Sequence, residues 1–364
     1  MLKILIDARL IEKPRGLGRY VRELLFAIGS SHAVAFEIFV LTPNGSESCV
    51  AELGEFKVVS SPRFPVPIWE QFVVPWWAWK LRVNLVHSPC NTTALLLARF
   101  GVRTVVTIHD LMFFDVQGAN LYQKAGNAYR RIVVSRYPRK HLSIVAVSEA
   151  TRACILAKLG VNASVIQEPV SKFLGNRGGV GLGARRVGEG PYFIHIGGIA
   201  AHKNTQLVIN AFNAAALPGF RLVILGVPHT AKMALKWRAS NVEIPGWLSD
   251  DEVATRIAGA LGMIFPSLAE GYGLPILEAF SLGCPVITSA VAPMDELAGG
   301  AALLVDPRSP AKVAEAIRRI AADESLRAEL IDRGRVRANE FSAERIGAEV
   351  LGAYLRAAGG TPIE

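Results

Sequence analysis

The sequence predicts an α/β fold made of two domains, each built around a parallel sheet. Strand-like apolar runs alternate with helical patterns along the whole chain, which is the order that βαβ units produce. The chain has 364 residues, too many for one ordinary core and enough for two domains of about 150–200 residues each. A glycine-rich stretch from Ser171 to Gly190 holds few core residues and divides the chain in two.

The predicted strands form two sets, one in each half of the chain. The first set is Lys3–Ile6, Glu37–Leu41, Leu85–His87, Thr104–Ile108 and Ile144–Val147. The second set is Tyr192–Ile196, Arg221–Leu225, Met263–Pro266, Pro285–Thr288 and Ala302–Val305. Ligands of open parallel sheets bind beyond the carboxyl ends of the strands, so we expect the functional residues to follow these runs.

Domain limits follow from the same pattern. We predict an N-terminal domain over 1–172, a glycine-rich linker over 173–190 and a C-terminal domain over 191–342. The remaining segment, 343–364, begins with a helical pattern over Ala343–Ala358.

Composition limits the class of protein. Hydrophobic residues make up 51% of the chain, yet no apolar run reaches the roughly 18 residues that a membrane-spanning helix needs. The chain opens on the strand-like run Lys3–Ile6, which does not resemble a secretory leader. The four cysteines lack metal-ligand spacing, so reduced thiols and a cytoplasmic location are expected.

The formal net charge of +9 indicates anionic partners. No aromatic-interleaved basic motif typical of nucleic-acid binding is present, so we expect no nucleic-acid partner. Basic clusters at Arg130-Arg131 and over 136–141 suit the inner face of a cell membrane, with peripheral attachment. Simple solubility is the alternative explanation of the charge.

The most informative segment runs from Ser267 to Ser289. It places two carboxylates, Glu270 and Glu278, on either side of a Gly-Tyr-Gly-Leu-Pro turn. Pro275 suits the first position of a helix that continues over Ile276–Leu282, with Glu278 in its first turn. Glycines let a backbone approach a ligand closely, and a helix N-terminus attracts anions. The candidate ligand-binding residues of this turn are Gly271, Tyr272, Gly273 and Leu274. Two acids and an anion-binding turn suit a sugar nucleotide, which carries hydroxyls and phosphates.

This segment resembles the E-x7-E signature of glycosyltransferase family 4, whose members are retaining enzymes of the GT-B fold. The downstream residues Gly283, Pro285, Glu296 and the run 302–307 also agree with the family pattern. The resemblance implies two Rossmann-like domains facing a central cleft, and a final helix, here over Ala343–Ala358, that crosses back to the first domain. It also implies that Glu270 holds the transferred sugar and that Glu278 holds the ribose.

A second candidate site follows the strand Tyr192–Ile196. A Gly-Gly turn leads to Lys203, and a lysine can stabilise the diphosphate as it leaves. This is similar to the family's glycine turn with a lysine before a helix, although Gly198 stands where many members have Arg or Thr. The resemblance makes Gly198 and Lys203 donor-site residues. An exposed lysine at a helix start is the alternative.

Three further segments resemble the family's binding residues. Gly16 and Gly18 open an amphipathic helix and match a loop that faces donor phosphate and acceptor. His109 ends a buried strand and matches a histidine that contacts the donor sugar, with a satisfied core histidine as the alternative. Residues 246–248 resemble the stretch that lines the nucleobase; they are Gly246, Trp247 and Leu248.

A tryptophan-rich segment over 65–79 has two interpretations. Trp69-Glu70-Gln71 resembles a stretch found in related sugar transferases, and core packing of the first domain is one reading. The others, Trp76, Trp77 and Trp79, also suit the lipid headgroup region, which tryptophan favours.

The resemblance implies a retaining hexosyltransferase, and these residues predict one that needs neither a metal nor a cofactor. The donor is expected to be a nucleoside-diphosphate sugar, with GDP-mannose slightly favoured by the resemblance. The acceptor is expected to be a lipid-linked saccharide of cell-surface polysaccharide or lipopolysaccharide assembly. Two alternatives stay open: a GT-B nucleotide-sugar epimerase, and a non-catalytic protein that binds sugar nucleotides or lipid.

Overall fold

The computed structural model describes residues 1–14, 16–31, 36–115, 121–138, 140–170, 190–228 and 230–359. They form two compact units, one of Met1–Pro169 with Ser342–Glu364 and one of Val170–Phe341. The predicted linker over 173–190 lies outside the described residues except for Gly190. The predicted α/β class with two parallel sheets is confirmed.

The described part of unit 1 contains a seven-stranded parallel sheet in the order β3-β2-β1-β4-β5-β6-β7. Its strands are β1 (Leu2–Asp7), β2 (Phe36–Pro43), β3 (Lys57–Ser61), β4 (Leu85–Ser88), β5 (Arg103–Ile108), β6 (Leu142–Ala146) and β7 (Ser164–Val165). Its helices are α1 (Leu17–Ser30), α2 (Ser48–Ala51), α3 (Val66–Ile68), α4 (Val74–Leu81), α5 (Leu121–Ser135) and α6 (Glu149–Leu159), with a π-helical turn at Trp69–Val73 and 3-10 turns at Leu95–Phe100 and Met112–Phe114.

Both faces of this sheet are buried. Alternate residues of a strand point to opposite faces, so Ile4 and Ile6 pack with α1 while Leu5 packs in a separate cluster with Trp69. The C-terminal helix of the chain (Ala343–Ala358) belongs to this unit and packs on α1. Gly347 permits the contact, because an added Cβ there would lie 2.0 Å from the Ala27 carbonyl oxygen.

The described part of unit 2 contains a six-stranded parallel sheet in the order β10-β9-β8-β11-β12-β13. Its strands are β8 (Tyr192–Ile196), β9 (Arg221–Leu225), β10 (Val242–Glu243), β11 (Gly262–Phe265), β12 (Val286–Ser289) and β13 (Leu303–Val305). The helices are α7 (Thr205–Ala215), α8 (Lys232–Trp237), α9 (Asp250–Gly259), α10 (Leu274–Ser281), α11 (Met294–Ala298), α12 (Pro310–Ala322) and α13 (Glu324–Asn339), and the C-terminal helix of unit 1 is α14.

The core of unit 2 lies between its sheet and the helices α7 and α12. Phe193 on β8 and Ile264 on β11 are fully buried there, with Val208 on α7 and Ile317 on α12. Two buried central strands, β8 and β11, end at one edge of the sheet, and the residues that follow them carry the candidate site of this unit.

Among the described residues, no helix is both long and apolar enough to cross a membrane.

Candidate functional site

The turn before α10 has the geometry that the sequence indicates, with one shift in position. The helix begins at Leu274 and ends at Ser281, one residue before the expected start at Pro275 and one before the expected end at Leu282. Gly273 precedes it with φ 116°, a conformation that favours glycine. Because the helix starts early, Glu278 lies in its second turn, and the first turn carries no acidic residue. The N-terminus of α10 therefore keeps its partial positive charge for an anionic ligand.

Lys203 and Glu270 form an ion pair. The lysine lies in a 3-10 turn after β8 (Ala201–Lys203), and its Nζ donates to both Glu270 carboxylate oxygens at 2.8 and 3.0 Å. The two side chains are 25% and 12% exposed, so the pair is shielded but open to a ligand. Lys203 and Glu270, which the sequence places at two separate candidate sites, thus lie in direct contact.

Asn204, beside Lys203, fixes the turn to the rest of the unit. It adopts φ 59°, and its side-chain amide donates to the carbonyl oxygens of Pro266 and Pro307. Those two prolines follow β11 and β13. The lysine is therefore tied to the same edge of the sheet as the turn that carries Glu270.

The other predicted donor-site residues of unit 2 differ in exposure. Glu278 and Tyr272 are buried, at 3% and 5% exposure. Trp247 is 58% exposed and stands with Gly246 and Leu248 between β10 and α9. Their predicted contacts with the nucleotide stay predictions, as do those of Gly271 and Leu274.

In unit 1, the two glycines of the predicted Gly16–Gly18 loop differ: an added Cβ at Gly16 would meet no atom within 4 Å, whereas Gly18 is tightly packed. Gly18 has no room for a side chain, because an added Cβ would lie 2.3 Å from the Leu10 carbonyl oxygen. Sequence reasoning missed Arg22, whose guanidinium donates to the carbonyl oxygens of Ile11 and Lys13 at 2.7 Å and of Pro14 at 3.0 Å. The available signal for Arg22 was its position: it is a basic residue one helical turn after Gly18, on a helix whose neighbouring apolar residues are buried.

His109 is buried, and protein groups occupy both of its ring nitrogens. Nε2 faces the Pro89 carbonyl oxygen at 2.9 Å and Nδ1 faces the Glu168 carboxylate at 2.7 Å. Both partners only accept, so the ring satisfies both by carrying two protons. Burial lowers the pKa of the imidazole, but the Glu168 carboxylate, the Pro89 carbonyl and the charge of Asp110 together outweigh it, and the pKa is raised overall. The predicted sugar contact of His109 stays a prediction.

His87 lies in a neighbouring environment and stays neutral. Its ring nitrogens face hydroxyl groups, Tyr354 at 2.6 Å and Thr107 at 2.9 Å, which can donate or accept as required. Burial, and then the nearby charge of His109, lowers the pKa of His87 to about 3. Thr107 also accepts from Tyr20, whose ring meets His109 edge-on at 4.4 Å, so the two histidines belong to one buried network.

The charged His109–Glu168 pair predicts a pH dependence of stability. The folded pKa lies above the unfolded value of 6.5, so this contribution is complete below pH 6.5 and is lost as the pH rises through the folded pKa. Glu168→Gln should lower the free energy of unfolding by about 1–3 kcal/mol at pH 6 and by less at pH 9. Urea unfolding at both pH values measures this. Glu149→Gln, which breaks an exposed pair with Arg152, is the control and should show no such trend. A difference that grows with pH contradicts the assignment.

The tryptophan-rich segment divides between core and surface. Trp69 is 2% exposed and its indole N–H donates to Asp7 Oδ1 at 2.8 Å, whereas Trp77 is half-buried against the same core. Trp76 and Trp79 are 48% and 75% exposed. With Ile68 and Phe72, also exposed, they share one helical face, which we call the aromatic face (Ile68, Phe72, Trp76, Trp79).

A buried polar cluster fixes the segment that carries the aromatic face. Glu70 accepts from Arg9 and from the Tyr129 hydroxyl at 2.5 Å each, and Arg9 also donates to Asp7 at 2.6 Å. Gln71 donates to the Tyr129 hydroxyl at 3.0 Å, which joins α5 to this segment. Sequence reasoning missed Asp7 and Arg9; the available signal was a charged residue at the end of β1 and another two residues later, at the carboxyl edge of the sheet.

Comparisons with known proteins agree with this architecture. Residues 14–171 match the model of the Glycosyltransferase Family 4, and residues 184–337 match that of the Glycosyl transferases group 1. The O-antigen chain mannosyltransferase B of Escherichia coli is 25% identical over 69% of this chain and 70% of its own length. The O-antigen chain mannosyltransferase RfbU of Salmonella typhimurium is 23% identical over 59% and 60%, respectively.

Among solved structures, the sucrose-phosphate synthase of Thermosynechococcus elongatus superposes with a TM-score of 0.74. The match covers 98% of this chain and 99% of that one at 17% identity, which shows a shared fold. The two matched family models cover the two units in turn. The chain therefore belongs to the family 4 type of glycosyltransferases, with the GT-B fold, and is related to O-antigen mannosyltransferases.

Proposed function

We propose that this glycosyltransferase moves a hexosyl unit from a nucleoside-diphosphate sugar to a hydroxyl of a saccharide acceptor, with retention at the transferred carbon. The observation that carries the proposal is the Lys203–Glu270 ion pair, which lies beside the turn that opens α10. A shielded cation and a helix N-terminus suit a diphosphate, and a carboxylate suits the hydroxyls of a sugar.

The proposed roles follow from charge and position. Lys203 neutralises the diphosphate as it leaves, and Glu270 accepts from hydroxyls of the transferred sugar. Glu278, buried on α10, accepts from the ribose hydroxyls. We assign no enzymic base: the departing phosphate oxygen takes the acceptor proton as the new glycosidic bond forms on the same face. Lys203 and α10 meet the diphosphate charge, so we propose that transfer needs no metal.

The names of the relatives suggest the identity of the donor and of the acceptor. The two relatives described above are named as O-antigen chain mannosyltransferases, so we propose mannose as the transferred sugar, GDP-mannose as the donor and a lipid-linked polysaccharide precursor as the acceptor. The test is a thermal-shift panel of GDP, UDP, ADP and dTDP. A ligand at a hundredfold over its Kd adds about 2.7 kcal/mol of stability, which such an assay detects.

Transfer is then measured with the sugar nucleotide selected by the panel. We expect product in EDTA at nearly the rate seen with Mg²⁺, and a product whose anomeric configuration matches the donor. Complete loss in EDTA, restored by Mg²⁺ or Mn²⁺, contradicts metal independence. Release of an altered sugar nucleotide without an acceptor identifies an epimerase instead.

We further propose that the aromatic face binds the anionic inner face of the cell membrane. Trp76 and Trp79 are exposed, and Lys80 places its Nζ 4.6 Å from the Trp76 ring centroid, so an amphipathic aromatic group lies beside a cation. The helix α5, joined to this segment through Tyr129, exposes Leu121 and Tyr122. The net charge of +9 favours anionic headgroups.

Vesicle sedimentation tests this assignment. Wild type should bind phosphatidylserine-containing vesicles with an affinity that falls steeply with salt and leaves a salt-resistant part. Trp76→Ala/Trp79→Ala should lose the salt-resistant part, because inserted aromatic rings are not screened. Leu235→Ala/Val336→Ala, two apolar residues of unit 2 exposed at 62% and 67%, is the matched control and should bind as wild type does. No binding of wild type at low salt refutes the proposal.

A further inference from the structure

A buried histidine in unit 2 lies beneath the glycine turn that precedes Lys203. His195 is 0% exposed, and its Nδ1 lies 2.7 Å from the Ile264 carbonyl oxygen. A carbonyl only accepts, so Nδ1 carries the proton. Burial lowers the pKa of His195 to about 4, with the Lys203 charge acting in the same direction. The ring is therefore neutral near pH 7, and its Nε2 accepts.

Thr205, the first residue of α7, connects this ring to the turn. Its hydroxyl lies 3.1 Å from His195 Nε2 and accepts from the Gly198 N–H at 3.3 Å. The same oxygen lies 3.0 Å from the Gly198 carbonyl oxygen. One hydroxyl thus contacts both backbone polar groups of Gly198, and the single hydroxyl proton has two acceptors, the imidazole nitrogen and that carbonyl.

The Gly197-Gly198 turn packs between the His195–Thr205 pair and Lys203. An added Cβ at Gly197 would lie 2.8 Å from the His195 ring and 2.9 Å from Thr205 Oγ1. On Gly198, an added Cβ would lie 3.3 Å from Lys203 Cγ. His195 and Thr205 therefore pack against the turn at Gly197, and the aliphatic part of the Lys203 side chain packs against it at Gly198. Because of these contacts, a shift of the turn would also move the lysine.

We propose that Thr205 and His195 are positioning residues that hold the Gly197-Gly198 turn, and through it Lys203, in the conformation that binds the diphosphate of the donor. The inference rests on the proposed function, because it names residues that prepare the same site. Neither residue was singled out by the sequence, where Thr205 is the start of a helix and His195 an interior strand residue. Their role acts through Lys203 and requires no contact with the ligand.

The test compares Thr205→Val with Thr205→Ser. Valine keeps the shape and removes the hydroxyl, so the affinity for the nucleoside diphosphate selected by the panel should fall about tenfold. Serine restores the hydroxyl and should stay within about threefold of wild type. The KM for the sugar nucleotide should follow the same order, and the KM for the acceptor should not change.

Thr288→Val is the matched control. Thr288 is also fully buried in unit 2, and its hydroxyl donates to the Phe265 carbonyl oxygen at 2.9 Å. The Thr288→Val variant should lose about as much stability as Thr205→Val, but its affinity for the nucleoside diphosphate should stay that of wild type. If Thr205→Val does not fold, Thr205→Ala removes the same hydroxyl without putting a methyl group in its place, and it is compared with Thr205→Ser in the same way.

The outcomes separate the two proposals. If wild type binds none of the four nucleoside diphosphates, the proposed function fails. If wild type binds one and Thr205→Val binds it equally well, the proposed function stands and the positioning role is refuted. If Thr288→Val loses as much affinity as Thr205→Val, the effect is general loss of packing, and the positioning role is again refuted.

Discussion

Lys203→Ala should reduce transfer from the sugar nucleotide by about 10²–10³-fold, the range expected when one donor to a developing negative charge is removed. The lysine is held 2.8 and 3.0 Å from the Glu270 carboxylate oxygens. Its removal has two consequences. The leaving diphosphate loses its cation, and the Glu270 carboxylate, only 12% exposed, then repels that diphosphate. We therefore expect both affinity and turnover to fall.

Steady-state kinetics with varied donor, together with calorimetry of the free nucleoside diphosphate, separates these consequences. In Lys203→Ala/Glu270→Gln the repulsion is removed, so nucleotide affinity should recover in part while turnover stays low. Lys203→Arg keeps the charge in a planar group and should give an intermediate rate. Lys236→Ala, on α8, is the surface control. A Lys203→Ala turnover within about threefold of wild type would refute the leaving-group role.

Much of the fold follows from local pattern. Apolar runs bounded by polar or glycine residues mark the central strands, such as Tyr192–Ile196 and Arg221–Leu225, and the structure contains both with the predicted limits. The predictions omitted β3, β7 and β10, of which β7 and β10 have only two residues each. Strands this short have too few residues for a periodic pattern, and pairing with a neighbouring strand defines them.

The candidate site was predictable as a set of residues but not as a set of contacts. Glycine turns and charged residues after strands identify Lys203 and Glu270 separately, yet 67 positions separate them in the chain. Likewise Glu168 lies 59 positions from His109. Which charges meet depends on the order of strands in the sheet and on the path of each loop. Local sequence carries neither, so the His109 pairing had no signal.

Glu278→Ala should weaken binding of the free nucleoside diphosphate, whereas Glu270→Ala should not. Glu278 is 3% exposed on α10, and we assign it to the ribose hydroxyls. Hydrogen bonds to a charged acceptor are worth about 1.5–3 kcal/mol, so Glu278→Ala should weaken nucleoside-diphosphate binding by about 10–150-fold. Glu278→Gln keeps the shape and an acceptor oxygen, and should lose less.

Glu270→Ala should leave the affinity for the free nucleoside diphosphate unchanged or raise it, because Lys203 is released from its carboxylate partner and becomes available to the phosphates. Turnover with the intact sugar nucleotide should fall, since the transferred hexose loses the carboxylate that accepts from its hydroxyls. Calorimetry with the nucleoside diphosphate, beside kinetics with the sugar nucleotide, measures both quantities. Equal losses of nucleotide affinity in the two variants would show that both carboxylates contact the nucleotide, and the division of roles between them would be wrong.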